Sequence, residues 1–229
     1  MTEAVAAEDV WKYYGDYPAL REITLTIDPG SCVALLGRNG AGKTTLLRII
    51  AGLSKAGRGR VSILGKDARD PETRRRVGVL GHGISVYEEL SAFENLTLFG
   101  QLYGVENPAK TAADWLDRVG LSRVRDGLVR EFSRGMRQRL ALERAVLHRP
   151  RLVLLDEPFT GLDDRAVGVV AGRLRQLAAD GAIVVMATHD LDLAEGLVSR
   201  VAVMREGRLV SDEPAAGDLR ARYRALIGS

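Results

Sequence analysis

The nine residues GRNGAGKTT at positions 37–45 are the feature that most constrains how this chain can fold. They fit the spacing Gly-x-x-x-x-Gly-Lys-Thr, follow the apolar run CVALL, and continue into the helical pattern LLRII. Glycine at 37, 40 and 42 allows successive backbone N–H groups to converge on one anion, and the following helix adds about half a positive charge at its start. Strand, loop and helix in this order predict the phosphate-binding loop of an α/β protein.

The lysine and threonine of this stretch indicate which anion is bound. Lys43 is placed to reach the β and γ phosphates of a nucleotide, and the Thr44 hydroxyl is placed to bind Mg²⁺. A glycine-rich turn without nucleotide is the alternative, and the preceding strand and the lysine count against it. We expect nucleotide contacts from eight residues of the loop: Gly37, Asn39, Gly40, Ala41, Gly42, Lys43, Thr44 and Thr45.

Two acids end a second apolar run, RLVLLDEP at residues 151–158. Asp156 comes at the end of this predicted buried strand, where a carboxylate can hold Mg²⁺ through water, and Glu157 is a candidate to polarise the attacking water. Neighbouring strand residues point to opposite sides, but the turn at Pro158 allows both carboxylates to face one nucleotide. A solvated acidic strand end is the alternative, which the phosphate loop disfavours.

The apolar runs along the chain predict the fold class. Short β-branched runs alternate with longer helical patterns, which is typical of an α/β fold with a mainly parallel sheet, here of the P-loop NTPase (RecA-like) type. Alternating apolar residues before Asp28 predict an N-terminal antiparallel β subdomain, and helical patterns over about 84–149 predict an inserted α-helical subdomain. We expect residues 1–229 to form a single domain.

Composition excludes several other classes of protein. Hydrophobic residues make up 46% and charged residues 28%, a balance that folds rather than staying disordered. The net charge is +3 and only the RRR run at 74–76 is a tight basic cluster, so no nucleic-acid partner is predicted. The single cysteine, Cys32, fits a reducing compartment. The chain shows no secretory signal pattern, and no apolar run approaches the roughly 20 residues that cross a bilayer.

A second helix start supplies another group of hydrogen-bond donors. In FSRGMRQRLALERAVL, residues 132–147, Ser133 precedes the helical pattern and Gly135 lies in its first turn. A phosphate loop leaves the γ-phosphate open on one face, and efficient transfer needs further donors there. Taken alone, this feature is an ordinary N-cap.

Together these motifs resemble the nucleotide-binding subunit of ATP-binding-cassette (ABC) transporters, over about Val10 to Leu209. The chain carries them in family order: the phosphate loop, a signature similar to Leu-Ser-Gly-Gly-Gln, the Walker B run LVLLDE, the D-loop TGLD at 160–163, and the histidine of ATHDL. The resemblance implies an ATPase that binds ATP and Mg²⁺ and works as a homodimer or heterodimer of such subunits.

The resemblance also implies roles for two further side chains. Tyr14 is similar to the aromatic residue that stacks on adenine, although Tyr13 is adjacent and a half-buried strand tyrosine is the alternative. His189 is similar to the switch histidine, a catalytic residue that hydrogen-bonds the γ-phosphate from the end of a strand.

In the family's head-to-tail dimer, Ser133 and Gly135 would contact ATP bound to the other chain, with Asp163 along the seam. Arg134 and Met136 depart from the glycine and glutamine that are usual in the signature. This departure affects the side-chain contact with ATP more than the backbone contact.

A second departure lies in GVLGHGISVYEEL, where His82 occupies the position of the Q-loop glutamine, counted back from the ENL run at 94–96. Histidine can donate or accept a hydrogen bond toward Mg²⁺-bound water, but it titrates near neutral pH and glutamine does not. His82 is therefore expected to contact the nucleotide site from the position of the glutamine.

The runs LGH, ELSAFENL, LYG and DEPFTGLD resemble the ATPase subunit of the haem exporter of cytochrome c maturation, with ATPases of polysaccharide or drug exporters as close competitors. These families imply a transmembrane permease partner, a peripheral location on the cytoplasmic face of the inner membrane, and transport powered by ATP-driven dimer closure. The alternatives are a soluble ABC ATPase of translation or DNA maintenance, which usually has two cassettes or a long coiled coil, and a small-molecule phosphotransferase.

Overall fold

A computed structural model describes residues 4–81, 83, 85–189 and 196–227 of the chain. The strands within these residues are β1 Val5–Tyr14, β2 Tyr17–Ile27, β3 Cys32–Leu36, β4 Arg58–Ile63, β5 Lys66–Asp67, β6 Val77–Leu80, β7 Leu152–Asp156, β8 Ile183–Thr188, β9 Arg200–Arg205 and β10 Arg208–Pro214. The α-helices are α1 Lys43–Ile50, α2 Pro71–Arg74, α3 Ala92–Tyr103, α4 Pro108–Arg118, α5 Arg134–Val146, α6 Asp164–Ala179 and α7 Leu219–Ile227, with 3₁₀ turns at Ser122–Val124 and Val129–Glu131.

The strands form two sheets, as the apolar runs predict. The larger sheet has the order β10-β9-β3-β8-β7-β6, and all of its neighbouring pairs are parallel except β9 with β10. Every residue of β3, β7 and β8 is buried, which is the pattern of strands covered on both faces. The mainly parallel α/β fold is confirmed.

The smaller sheet has the order β2-β1-β4-β5 and is antiparallel throughout. Along β2, Ile23, Leu25 and Ile27 are buried, while the residues between them are exposed or half-buried. This alternation confirms the predicted N-terminal antiparallel element.

Different layers cover the two faces of the parallel sheet. Val33 and Leu35 of β3 pack with α1 and the antiparallel sheet, whereas Ala34 and Leu36 pack with the helices on the other face. Burial of each large apolar side chain of α1 contributes about 1.5–3 kcal/mol to holding the phosphate loop against the sheet. These side chains are Leu46, Leu47, Ile49 and Ile50.

Along the chain, helices α3, α4 and α5 follow β6 and precede β7, and these two strands are neighbours in the sheet. The three helices fall within the range that the sequence predicts to be helical. A capping box starts α3: the Ser91 hydroxyl accepts from the Glu94 N–H at 3.1 Å, and the Glu94 carboxylate accepts from the Ser91 N–H at 2.8 Å. The division into one domain with an inserted subdomain stays a prediction. Among the described helices, none combines the length and the apolar character needed to span a membrane.

A buried ion pair joins α5 to α6. Arg173 donates two hydrogen bonds to the Glu143 carboxylate, at 2.9 and 3.3 Å, and the two side chains are 9% and 0% exposed. The Arg173 guanidinium also lies 4.7 Å from the centroid of the Trp115 ring. Burial raises the pKa of Glu143, and the charge of Arg173 opposes that rise.

Replacing Arg173 by methionine should lower the free energy of unfolding by about 3–5 kcal/mol, because the buried Glu143 then loses its hydrogen-bonded counter-charge. A raised pKa means that the folded state binds the proton more tightly, so the loss should be smaller at about pH 5 than at about pH 8. Urea unfolding at both pH values measures this difference. Arg175→Met, an exposed substitution on the same helix, is the matched control, and an equal loss there would contradict the role of the ion pair.

Candidate active site

The phosphate loop runs from the end of β3 to the start of α1, as its sequence predicts. Gly42 occupies the N-cap of α1 with φ of +101°, a left-handed conformation that favours glycine. A Cβ atom at Gly42 would lie 2.7 Å from the carbonyl oxygen of Ala19 and 2.8 Å from Leu20 Cδ2. The antiparallel sheet therefore packs directly against the loop and holds the start of α1 in place.

The Lys43 ammonium lies inside the loop. It donates to the carbonyl oxygens of Gly37 at 2.6 Å and Arg38 at 3.3 Å, and the residue is buried. Burial lowers the pKa of Lys43, while the charges of Glu157 and Asp156 oppose that shift. The loop thus concentrates a cation and the N–H groups of α1 at one point, which is the arrangement that binds phosphate.

Two oxygen ligands suited to Mg²⁺ lie side by side. The Thr44 hydroxyl donates to Asp156 Oδ2 at 2.8 Å, joining the start of α1 to the end of β7. A hydroxyl and a carboxylate are ligands that a hard divalent cation prefers, so these residues fit the predicted metal. Among the described residues, no group of three His, Cys, Asp or Glu side chains is placed to hold a metal ion. Phosphate oxygens and water would supply the further ligands of a cation bound at Thr44 and Asp156.

Glu157 follows β7 with φ of +53°, a left-handed conformation uncommon for a residue with a side chain. Its N–H donates to the carbonyl of Ala187 on β8 at 2.8 Å, which anchors the turn. The Glu157 carboxylate lies 2.9 Å from His189 Nδ1 and accepts from the Thr188 hydroxyl at 3.4 Å. Two neighbouring side chains at the end of β8 therefore hold the two oxygens of this carboxylate.

Four of the residues described above line one cavity of about 300 Å³. Its walls include Lys43, Thr44, Asp156 and Glu157, and further residues complete them: Tyr14, Tyr17, Ala19, Asn39, Gly40, Ala41, Gly42 and Thr45. Asp156 and Glu157 line the same cavity although they are neighbours in sequence, because the left-handed turn at Glu157 redirects the chain. The Lys43 ammonium suits the phosphates of a nucleoside triphosphate, and the Thr44 hydroxyl and Asp156 carboxylate suit its Mg²⁺.

Tyr14 and Tyr13 have different surroundings. Tyr14 is 51% exposed, lines the cavity, and has the Lys12 ammonium 5.4 Å from its ring centroid. Tyr13 stacks on Trp11 with the ring centroids 6.2 Å apart and does not line the cavity. The placement favours Tyr14 over Tyr13 as the adenine-stacking residue, which stays a prediction.

Sequence reasoning missed Tyr17. It pairs with Tyr14 across the β1–β2 hairpin, lines the cavity, and also lines an adjoining cavity of about 300 Å³ beside Arg38 and Glu206. The signal was available, since the tight turn in YGDY places the two tyrosines opposite each other.

The signature segment and the D-loop contact each other instead of lining this cavity. Ser133 caps α5 by accepting from the Met136 N–H at 3.2 Å, and Asp163 caps α6 by accepting from the Ala166 N–H at 2.8 Å. Arg134 donates to the carbonyl of Thr160 at 3.1 Å and so joins the two helix starts. Among the described residues that line the cavity, none belongs to 133–136 or 160–163.

His82 lies outside the described residues, so its predicted contact with the nucleotide site is untested. Its neighbours in sequence, Gly81 and Ser85, line a third cavity of about 290 Å³ that also reaches Thr44 and Asp156.

Residues 20–160 match the family model described as ABC transporter, which covers more than half of the chain. The chain belongs to the ABC transporter family. Within that family it is an ATP-binding cassette, and ATP hydrolysis is its activity.

Curated relatives of the cassette include two kinds of protein. A Nod factor export ATP-binding protein I of Cupriavidus metallidurans is 36% identical over 93% of this chain and 71% of that protein. A daunorubicin resistance ATP-binding protein of Streptomyces coeruleorubidus is 39% identical over 93% of this chain and 68% of that protein. Other Nod factor export proteins match over 63% to 68% of their own length. The chain therefore spans about two thirds of these relatives.

Solved structures share the fold over nearly the whole cassette. An ATP-binding subunit of an ABC transporter superposes with a TM-score of 0.86 at 31% identity, over 99% of this chain and 95% of that chain. A dimeric ATP-binding cassette in a post-hydrolysis state, bound to ADP and Pi, superposes with a TM-score of 0.84 at 28% identity, over 93% and 99% of the two chains.

Substituting Tyr14 by alanine should weaken ATP binding about 2- to 10-fold, the effect of losing one stacked aromatic contact. Tyr13→Ala should leave ATP affinity nearly unchanged, because Tyr13 packs on Trp11 outside the cavity. Isothermal titration with a slowly hydrolysed ATP analogue measures both affinities. The reverse order of effects would assign the stacking role to Tyr13.

Proposed function

We propose that this cassette hydrolyses ATP as one half of a dimer that powers an export complex. The observation that carries the proposal is the Glu157 carboxylate, held by His189 and Thr188 in one cavity with Lys43 and with the Thr44–Asp156 pair. That cavity supplies a base, a cation and a metal site, but no donor for the outer face of the γ-phosphate from the signature helix.

In the proposed reaction, Glu157 accepts a hydrogen bond from the attacking water and orients it toward the γ-phosphate. Lys43 and the N–H groups of α1 stabilise the negative charge on the phosphate oxygens. Mg²⁺ bound by Thr44 and Asp156 would neutralise part of that charge. His189 positions the Glu157 carboxylate and can reach the γ-phosphate from the end of β8.

A second chain would supply the missing donors. The start of α5 presents the Ser133 hydroxyl and helix N–H groups, and a dimeric cassette with ADP and Pi is among the similar structures. The departure at Arg134 is compatible with this role, since its guanidinium turns back to Thr160 and Gly161. Closure would be favoured only while the γ-phosphate bridges the two chains, so hydrolysis would reopen the dimer.

A surface near the third cavity could receive the transmembrane permease subunit. Leu53 lines that cavity and is 63% exposed. Tyr87, two residues after the cavity-lining Ser85, is also exposed. Asn95 fixes the segment that carries Tyr87, accepting from the Tyr87 N–H at 2.8 Å and donating to its carbonyl at 2.9 Å. A helix of the permease that binds here, at the cytoplasmic face of the membrane, would lie close to Thr44 and Asp156 and would respond to changes at these two residues.

The names of the curated relatives indicate which class of cargo to propose. Their names refer to Nod factor export and daunorubicin resistance, which gives no support to the haem exporter of cytochrome c maturation that single segments of the sequence resemble. We propose that this cassette powers a polysaccharide or drug exporter, which the names of these relatives favour. The proposed cargo is an organic molecule moved outward by the permease.

Replacing Glu157 by glutamine should lower ATP hydrolysis at least about 100-fold, because the amide cannot act as a base. ATP binding should persist, since Lys43 and the loop are unchanged. Phosphate release and nucleotide titration measure the two effects. Glu106→Gln, a neutralised exposed acid on another surface, is the control, and hydrolysis at the original rate by Glu157→Gln would refute the assignment.

The dimer can be tested in the Glu157→Gln background, where bound ATP should accumulate and drive dimerisation measured by light scattering. Adding Ser133→Asp should abolish that dimer, because the added carboxylate would lie against the γ-phosphate of the other chain while still capping α5. Ser133→Asn keeps the cap without the charge and should retain more of the dimer. Equal dimerisation of the aspartate and asparagine variants would contradict contact across the seam.

A further inference from the structure

A large cavity lies at the edge of the parallel sheet opposite the phosphate loop. Its volume is about 480 Å³, and it opens where β7 and β8 begin, whereas the nucleotide cavity lies where β3 and β7 end. The five residues of β7 separate the two cavities by roughly 13 Å or more. The proposed ATPase mechanism uses none of the residues that line this second cavity.

Arginine dominates its lining. Arg118, Arg149, Arg151 and Arg173 all line the cavity, and Asp180 is the one carboxylate among the lining residues. Trp115, Val146, Pro150 and Leu177 provide apolar wall. We call this cavity the arginine cavity.

The four arginines are not equivalent. Arg173 is engaged by the buried Glu143, so it serves the packing of α5 on α6. Arg118 lies 5.5 Å from the Trp115 ring centroid. Arg149 and Arg151 are exposed, and within the described part of the chain neither side chain has a carboxylate at ion-pair distance. Their charges therefore remain available to a ligand.

The tight basic run that composition singled out lies at this same edge. The carbonyl of Arg76 accepts from the N–H groups of Arg151 at 2.8 Å and Leu152 at 3.1 Å, which places Arg76, the last residue of that run, beside the start of β7. Grouping like charges raises the local positive potential and the local concentration of anions. The sequence alone does not predict this grouping, because 75 positions separate Arg76 from Arg151.

We propose that the arginine cavity binds a phosphate-bearing anion. Arg118, Arg149 and Arg151, less the charge of Asp180, leave about two positive charges in the lining, which matches the charge of about −1.5 to −2 on a phosphate monoester. Guanidinium groups bind phosphate oxygens through paired N–H donors, and the apolar walls can cover the rest of a small organic molecule. The phosphate belongs either to a soluble metabolite or to a lipid headgroup.

The chain offers a site-specific reporter for this binding. It has two tryptophans, and Trp115 lines the arginine cavity whereas Trp11 lies on β1. In a Trp11→Phe background, Trp115 fluorescence should change saturably on addition of glycerol 3-phosphate, or of phosphatidylcholine vesicles that contain phosphatidylglycerol. The first response identifies a soluble ligand, and the second without the first identifies a headgroup. The response should persist in Lys43→Ala, which disables the phosphate loop.

Arg149→Gln with Arg151→Gln should raise the dissociation constant of the responding probe at least about tenfold, through loss of charge-assisted hydrogen bonds. The matched control is Arg123→Gln with Arg175→Gln, which removes the same charge from two exposed arginines outside the cavity. All four substitutions are at exposed positions, and circular dichroism checks the fold. No saturable change with either probe, or an equal weakening by the control pair, would overturn the proposal.

Discussion

The parallel pairing of β3, β8 and β7 is the constraint on which the rest of the site depends. Leu36 pairs with Thr188 and Asp156 pairs with Ala187, so three strands that lie far apart in sequence end at one edge of the sheet. Each end carries a different group: the phosphate loop, the two acids, and His189. Because these strands are buried on both faces, a shift in register would move all of these groups relative to one another.

The site also depends on local backbone conformations that the packing imposes. Gly42 adopts a left-handed conformation against the antiparallel sheet, and Glu157 adopts one in the turn anchored to β8. The first puts the start of α1 at the wall of the cavity, and the second brings a carboxylate alongside Asp156. The antiparallel sheet thereby holds the loop in place, and it also puts Tyr14 and Tyr17 on the wall of the same cavity.

Charge is divided between the two edges of the parallel sheet. At the carboxyl edge, Lys43 lies near Glu157 and Asp156, whose negative charges balance its positive charge. At the amino edge, neither Arg149 nor Arg151 forms an ion pair with a described carboxylate, and Asp180 is the one acid that lines the same cavity. One sheet can therefore present two anion-attracting sites, because its two edges are separated by the full length of the buried strands.

Local pattern determined the phosphate loop, the acids after β7 and the alternation of β2, because the spacing of glycine, charge and apolar residues acts over a few positions. Tertiary structure decided which tyrosine faces the cavity, that Arg134 turns toward Thr160, and that Arg76 lies beside Arg151. Those outcomes depend on strand pairing and helix packing between distant segments, and short-range spacing carries no information about such contacts.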